Sequence, residues 1–357
     1  VKTISQNDIR SLYLVKNKMT KQAYTIKVHH NIDTSEFNDQ SLLQNISSLC
    51  LLQAPTLFQL QKFSLQDFES HPALTFLMDY KEGCSLQDLL NKAELGQSSN
   101  QYTNTAKQIH LCGIAHGMKI LHSHAVVHGS LSPDTIFIDS QSRPYITEYG
   151  LSNIFNQSNQ NSIRSFNTLT YLAPEILKGS PHNQASDVYS YGILMYEIVS
   201  GEKAFGKQLK KKKFNLFEFT NVIKKGLQPE FSDSIKPTFQ RLIKRCLSLD
   251  PHQRPTFPEI FKQLAFSCEL NEDSLDISKH HQIELSNSEN GTFDDQEFDY
   301  SNCCLDNVNI AQLLDYLKEI IQGQSNSDFA GKNSTYKNTP KKEFGSFRPY
   351  FINPAGT

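Results

Sequence analysis

The residues able to do chemistry gather in a few short runs. Lys27 stands within Tyr24-Thr25-Ile26-Lys27-Val28, an otherwise apolar segment where an ammonium group can meet an anion. The run His128-Gly129-Ser130-Leu131-Ser132-Pro133-Asp134-Thr135 offers an imidazole, hydroxyls and a carboxylate close together. Glu148-Tyr149-Gly150 adds a second carboxylate beside a glycine. Hard cations take such oxygen ligands, but magnesium holds them to near-octahedral geometry. Lys207, Lys210 to Lys213, Lys224 and Lys225 form a basic patch, read first as a solvated loop and second as a dock for an acidic partner or anionic lipid. The carboxylates Asp294, Asp295, Glu297 and Asp299 are candidates to fold back onto it. The cysteines, Cys50, Cys84, Cys112, Cys246, Cys268, Cys303 and Cys304, are odd in number and show no paired metal-ligand spacing. Free thiols in a reducing compartment are the expectation.

These groups need elements to position them. Leu12-Tyr13-Leu14-Val15, Tyr24 to Val28 and Leu74-Thr75-Phe76-Leu77-Met78 predict strands. Leu42, Leu43, Ile46, Leu49 and Leu52 recur at helical spacing between them. After Tyr80 the pattern turns helical, with stripes over Ile109 to Leu121, Asp187 to Ser200 and Phe239 to Cys246. The stretch Val188 to Val199 is too short to span a bilayer and contains Glu197. With 357 residues, 38% of them apolar, and a formal charge of −2, the chain reads as an ordinary soluble protein rather than a nucleic-acid binder. No charged-then-apolar leader follows Val1, so a cytoplasmic chain is expected, read as a piece of a longer one. From Glu269 to Thr357 the Asn, Ser, Asp and Gln content predicts a largely disordered tail. Within it an amphipathic helix is expected at about 308–321, docking on its own domain or, alternatively, on a partner.

In these runs the chain resembles the protein-kinase family, and within it the tyrosine-kinase-like group, from about Ile4 to Cys268. The resemblance implies an α+β, two-lobed fold. A small β-rich N-lobe would cover about 1–80 and a larger α-helical C-lobe about 81–268. Lys27 stands at the family's phosphate-binding lysine, and Ala173-Pro174-Glu175 is an intact family motif. Ser130 stands where the family has the aspartate that accepts the substrate proton, and Thr135 where an asparagine holds metal. Glu148 takes the place of the aspartate that ligates magnesium. The Gly-rich loop falls on Ser5, Asn7 and Arg10, none of them glycine. Gly129 and Ser132 replace a catalytic-loop arginine and lysine. The helix position that should pair with Lys27 is Gln44 or Asn45, with Glu36 too far upstream, so Lys27 is expected to be solvated or locally bonded.

The architectural residues are retained. The resemblance implies an ion pair between Glu175 and Arg254, backbone bonds from the catalytic loop to Asp187, and an interlobe stack of His128, Tyr149 and Leu49. Losing base, metal ligand and phosphate clamp together leaves negligible transfer. The implied protein is a pseudokinase, a scaffold or allosteric signalling partner with no catalytic residue. Lys27, Met78, Tyr80 and Glu148 are the cofactor-pocket candidates, with Arg10 or an aromatic residue able to fill the slot. No cofactor is expected beyond weak ATP or magnesium binding, and the partners are expected to be proteins. Two alternatives stand beside this: a residual or unconventional ATP-dependent serine/threonine kinase, and a nucleotide or small-molecule sensor without chemistry.

Overall fold

The computed structural model describes residues 1–6, 10–30, 40–97, 102–151, 166–212, 214–266 and 303–332. Its N-terminal lobe is an antiparallel sheet of β1 (Lys2–Gln6), β2 (Arg10–Lys16), β3 (Ala23–His29), β4 (Leu60–Gln66) and β5 (Pro72–Asp79), ordered β1-β2-β3-β5-β4. In β3, Ile26 and Val28 turn to one buried face, so the period of two sends Lys27 to the other. Lys27 lies opposite Leu12 of β2 and Phe76 of β5, which fixes its position between two neighbours. The three strands expected from the sequence are present, and β1 and β4 are additional. Every residue of β1 is exposed, so this edge strand has no buried face to print an apolar alternation.

Helix α1 (Gln40–Leu51) follows the predicted stripe, burying Ile46 and Leu49 against the sheet side of the cleft. The C-terminal lobe begins with β6 (Gly83–Ser85), α2 (Leu86–Glu94) and α3 (Asn104–Ser123). Two further strands, β7 (Ile136–Asp139) and β8 (Pro144–Ile146), complete a small sheet ordered β6-β7-β8. There follow α4 (Phe166–Thr170), α5 (Pro174–Leu177), α6 (Gln184–Ser200), α7 (Gly206–Lys212), α8 (Leu216–Lys224), α9 (Pro237–Cys246) and α10 (Phe257–Phe266).

Helices α3 and α6 are buried along most of their length and form the lobe's centre. Asn183 caps α6, accepting from the Ser186 N–H, and Gly201 ends it in the left-handed region at φ 70°. Glu197, the acidic residue in this apolar helix, accepts from Tyr171 Oη at 2.6 Å and from the Ala204 N–H at 3.0 Å. A buried carboxylate is tolerated because those donors replace water. Among the described residues no helix is long and apolar enough to cross a membrane.

Beyond α10 the described chain is 303–332, and its helix α11 (Ile310–Lys332) runs past 321, where the sequence pattern ends it. Leu313, Tyr316, Leu317 and Ile320 are buried against the lobe. Gln108 of α3 donates to the carbonyls of Leu264 and Cys303 at 3.0 and 3.1 Å and accepts from the Leu305 N–H at 3.2 Å. A Cβ at Gly113 would stand 2.5 Å from Pro144 Cγ and overlap the Tyr316 hydroxyl, so the close helix approach requires glycine. Gly323 likewise rests against Pro55, in the turn between α1 and β4. Cys50, Cys84, Cys112, Cys246 and Cys303 are free. Cys304 is disulfide-bonded, which corrects the expectation of free thiols throughout; proximity in space is not legible from spacing along the chain.

Candidate functional site

The cleft between the lobes brings Lys27 and Glu148 together. Lys27 projects from β3, and Glu148 follows β8 in the left-handed backbone region at φ 60°. That conformation costs a non-glycine residue roughly 1–3 kcal/mol and persists only where surroundings impose it. Here they do. Lys27 Nζ donates to Glu148 Oε1 in a short ion pair, and Arg10 Nη1 donates to the same oxygen at 2.8 Å. Two residues on, Gly150 adopts φ 73° with Leu49 packed so close that a Cβ would stand 2.8 Å from Leu49 Cδ2.

The electrostatics follow from burial and charge. Burial pushes the Glu148 carboxyl up, but Lys27, Arg10 and His29 more than offset it and hold the group at about 2. Burial pulls Lys27 down, opposed by Glu148. The carboxylate and ammonium are therefore an ionised pair screened from solvent. Lys27 is bonded within the cleft rather than solvated, and its partner lies 121 residues away along the chain. Gln44 and Asn45, at the helix position expected to serve it, are exposed. Glu36 and Asn7 lie outside the described residues, as do the carboxylates from Asp294 to Asp299.

The catalytic-loop run is held from below. His128 and Gly129 donate their backbone N–H groups to the two oxygens of Asp187, each at 2.8 Å. His122 Nε2 adds a third contact to Asp187 at 2.9 Å, a contributor the sequence reading passed over because nothing in its spacing links it to residue 187. Gly129 turns the loop at φ 73°. Ser130 then stands exposed at the cleft, its Oγ 3.4 Å from His128 Nδ1. His128 itself is fully buried, and burial lowers its basicity. A serine hydroxyl beside a buried, weakly basic imidazole is a poor proton acceptor.

Thr135 is occupied structurally. Its Oγ1 donates to the Ser132 carbonyl at 3.0 Å and accepts from the Ser132 N–H at 3.1 Å, closing the short 3₁₀ turn Pro133–Thr135. Asp134 is exposed beside it. Met78 is buried in β5 opposite Thr25 and Leu60, whereas Tyr80 just beyond the strand is 41% exposed. Arg10 turns its guanidinium to the Glu148 carboxylate.

The residues of the implied ion pair meet across the lobe. Arg254 Nη1 and Nη2 donate to Glu175 Oε1 and Oε2 at 2.6 and 2.8 Å. The same guanidinium donates to the carbonyls of Ser248 and Ala185, each at 2.9 Å. Leu49, His128 and Tyr149 are all buried at the lobe junction, and Tyr149 Oη donates to the Phe58 carbonyl at 3.3 Å.

Residues 4–266 match the model of the protein kinase domain. A probable serine/threonine-protein kinase of Dictyostelium discoideum is 28% identical over 256 residues, covering 71% of this chain and 18% of that protein. Mitogen-activated protein kinase kinase 1 of Arabidopsis thaliana is 25% identical over 265 residues, covering 73% of this chain and 72% of the relative. The serine/threonine/tyrosine-protein kinase HT1 of Arabidopsis thaliana is 26% identical over 252 residues, covering 70% and 61%. The chain thus spans most of one relative and under a fifth of another.

Proposed function

The chain belongs to the protein kinase family, and from that membership we propose that it works by binding rather than by phosphoryl transfer, as a pseudokinase of the tyrosine-kinase-like group. The observation that carries this reading is Ser130. The loop around it is anchored to Asp187, yet the side chain at the proton-accepting position is a hydroxyl. General-base catalysis supplies roughly 10²–10⁴-fold in rate, and a serine there forfeits it.

The family works with ATP and magnesium, and the residues here do not fit the metal. Glu148 Oε1 already bears Lys27 and Arg10, and the Thr135 hydroxyl is engaged within its own turn. What the cleft residues do instead is join β2, β3 and the segment after β8, tying the two lobes by charge. A fixed lobe arrangement suits a scaffold or allosteric signalling partner whose output is a surface read by other proteins. A cytoplasmic setting belongs to the same proposal; the disulfide at Cys304 counts against it, since reducing compartments seldom keep one.

The second reading is a residual serine/threonine kinase, favoured by the names of the relatives and by the retained Lys27. One assay separates them: transfer of labelled γ-phosphate from ATP to a generic protein substrate, comparing wild type with Lys27→Ala. No Lys27-dependent incorporation is expected. Incorporation by wild type that the variant abolishes overturns the non-catalytic reading.

A further inference from the structure

Lys27 accounts for one cation on Glu148; Arg10 is the second. Arg10 opens β2 opposite His29 of β3, so the strand register itself delivers its guanidinium to the cleft. Its Nη1 lies 2.8 Å from Glu148 Oε1, the oxygen Lys27 also contacts. A magnesium ion at that oxygen must approach to about 2.0–2.1 Å. It would then stand beside an ammonium and a guanidinium where solvent screens little.

We propose that Arg10 is a built-in cation that keeps divalent metal, and with it metal-bound nucleotide, away from Glu148. This rests on the reading of the cleft as non-catalytic and assigns the residue responsible for its selectivity. Lysine could escape such a role by losing its proton, but a guanidinium keeps its charge at any physiological pH. The position also suits a removable plug. Side-chain exposure is 34% for Arg10, against 14% for Lys27 and 15% for Glu148, so Arg10 sits on the open side of the pair.

The test titrates manganese alone, and then ATP with magnesium, into wild type, Arg10→Met and the double variant Arg10→Met/Glu148→Gln. Methionine keeps an apolar stem where the arginine methylenes lay, and a cooperative unfolding transition certifies each variant as folded. Wild type is expected to bind neither probe. Arg10→Met is expected to gain about tenfold or more in affinity for both, and the double variant to lose that gain. Equal affinity of wild type and Arg10→Met, or a gain that survives replacement of Glu148, overturns the proposal. Binding by wild type without phosphoryl transfer sinks the role of Arg10 alone; transfer by wild type sinks the non-catalytic reading with it.

Discussion

Glu175 and Arg254 face each other as a fork on a fork, two N–H groups on two carboxylate oxygens at 2.6 and 2.8 Å. The Arg254 side chain is fully buried, lies over the Tyr189 ring at 5.3 Å, and spends its remaining donors on backbone carbonyls. This pair ties the first turn of α5 to the turn between α9 and α10. Removing the carboxylate leaves a buried cation without its counter-ion.

Glu175→Ala is therefore expected to destabilise the chain by about 3–5 kcal/mol, the range for breaking a buried ion pair from one side. A urea unfolding curve measures it as a lowered midpoint with an unchanged slope. A loss under about 1 kcal/mol would mean the pair is solvated and contributes as surface pairs do.

The contact of α11 with α3 makes a two-variant prediction. Gly113→Ala places a methyl against the Tyr316 hydroxyl and Pro144 and is expected to cost about 1–3 kcal/mol, the usual cost of overpacking. Among the described residues that hydroxyl is buried without a hydrogen-bond partner, so Tyr316→Phe is expected to be neutral or slightly stabilising. Combining the two should recover part of the Gly113→Ala loss, because the clashing oxygen is gone. Simple additivity in thermal unfolding would show that α11 does not press on residue 113.

His110 predicts an acid-side loss of stability. It is fully buried, donates from Nε2 to the Ser142 carbonyl at 3.1 Å, and stacks on Tyr102. Burial lowers it to about 4, chiefly through desolvation, with the Ser142 bond opposing. The unfolded chain protonates this imidazole near its ordinary value and the folded chain does not. Between about 6.5 and 4 the unfolded state binds the extra proton, so stability falls as pH falls through that window. The contribution is about 3 kcal/mol at about 1.4 kcal/mol for each pH unit. Unfolding midpoints of wild type and His110→Gln across this window check it: the wild-type slope should be the steeper. Equal slopes would mean His110 does not titrate with unfolding.

Glu148 acts at lower pH and through the opposite charge. Its folded value of about 2 lies below that of a free carboxyl. The lobe-joining contribution is thus complete above about 4.5 and lost as pH falls toward 2. Glu148→Gln should flatten the stability profile there while leaving the profile above about pH 5 parallel to wild type.

How much of this was legible in the sequence depends on separation along the chain. Ser130, Thr135, Glu148 and Asp187 are picked out by their resemblance to family motifs, and the strands and helices carrying them follow apolar periods of two and 3.6. The partner of Lys27 was not legible. The pairing spans 121 residues, and no local pattern encodes which distant carboxylate a lysine will meet. Arg10 was marked as a residue in a glycine's place, but its destination at Glu148 is set by the β2–β3 register and the left-handed turn at residue 148. The face of α11 was visible in Leu313, Leu317 and Ile320. Its docking site was not, because the groove is made by what Gly113 and Gly323 lack, and an absent methyl prints no hydrophobic signal.

The seam between α3 and the chain beyond Cys303 changes what counts as one folding unit. Family resemblance stops at residue 266, but Gln108 binds partners on both sides of that point, at Leu264 and at Cys303 and Leu305. A truncation at the family boundary would strip the apolar flank of α3 and leave a buried amide without two of its partners. The smallest independently stable piece of this protein therefore extends beyond the part by which it is recognised.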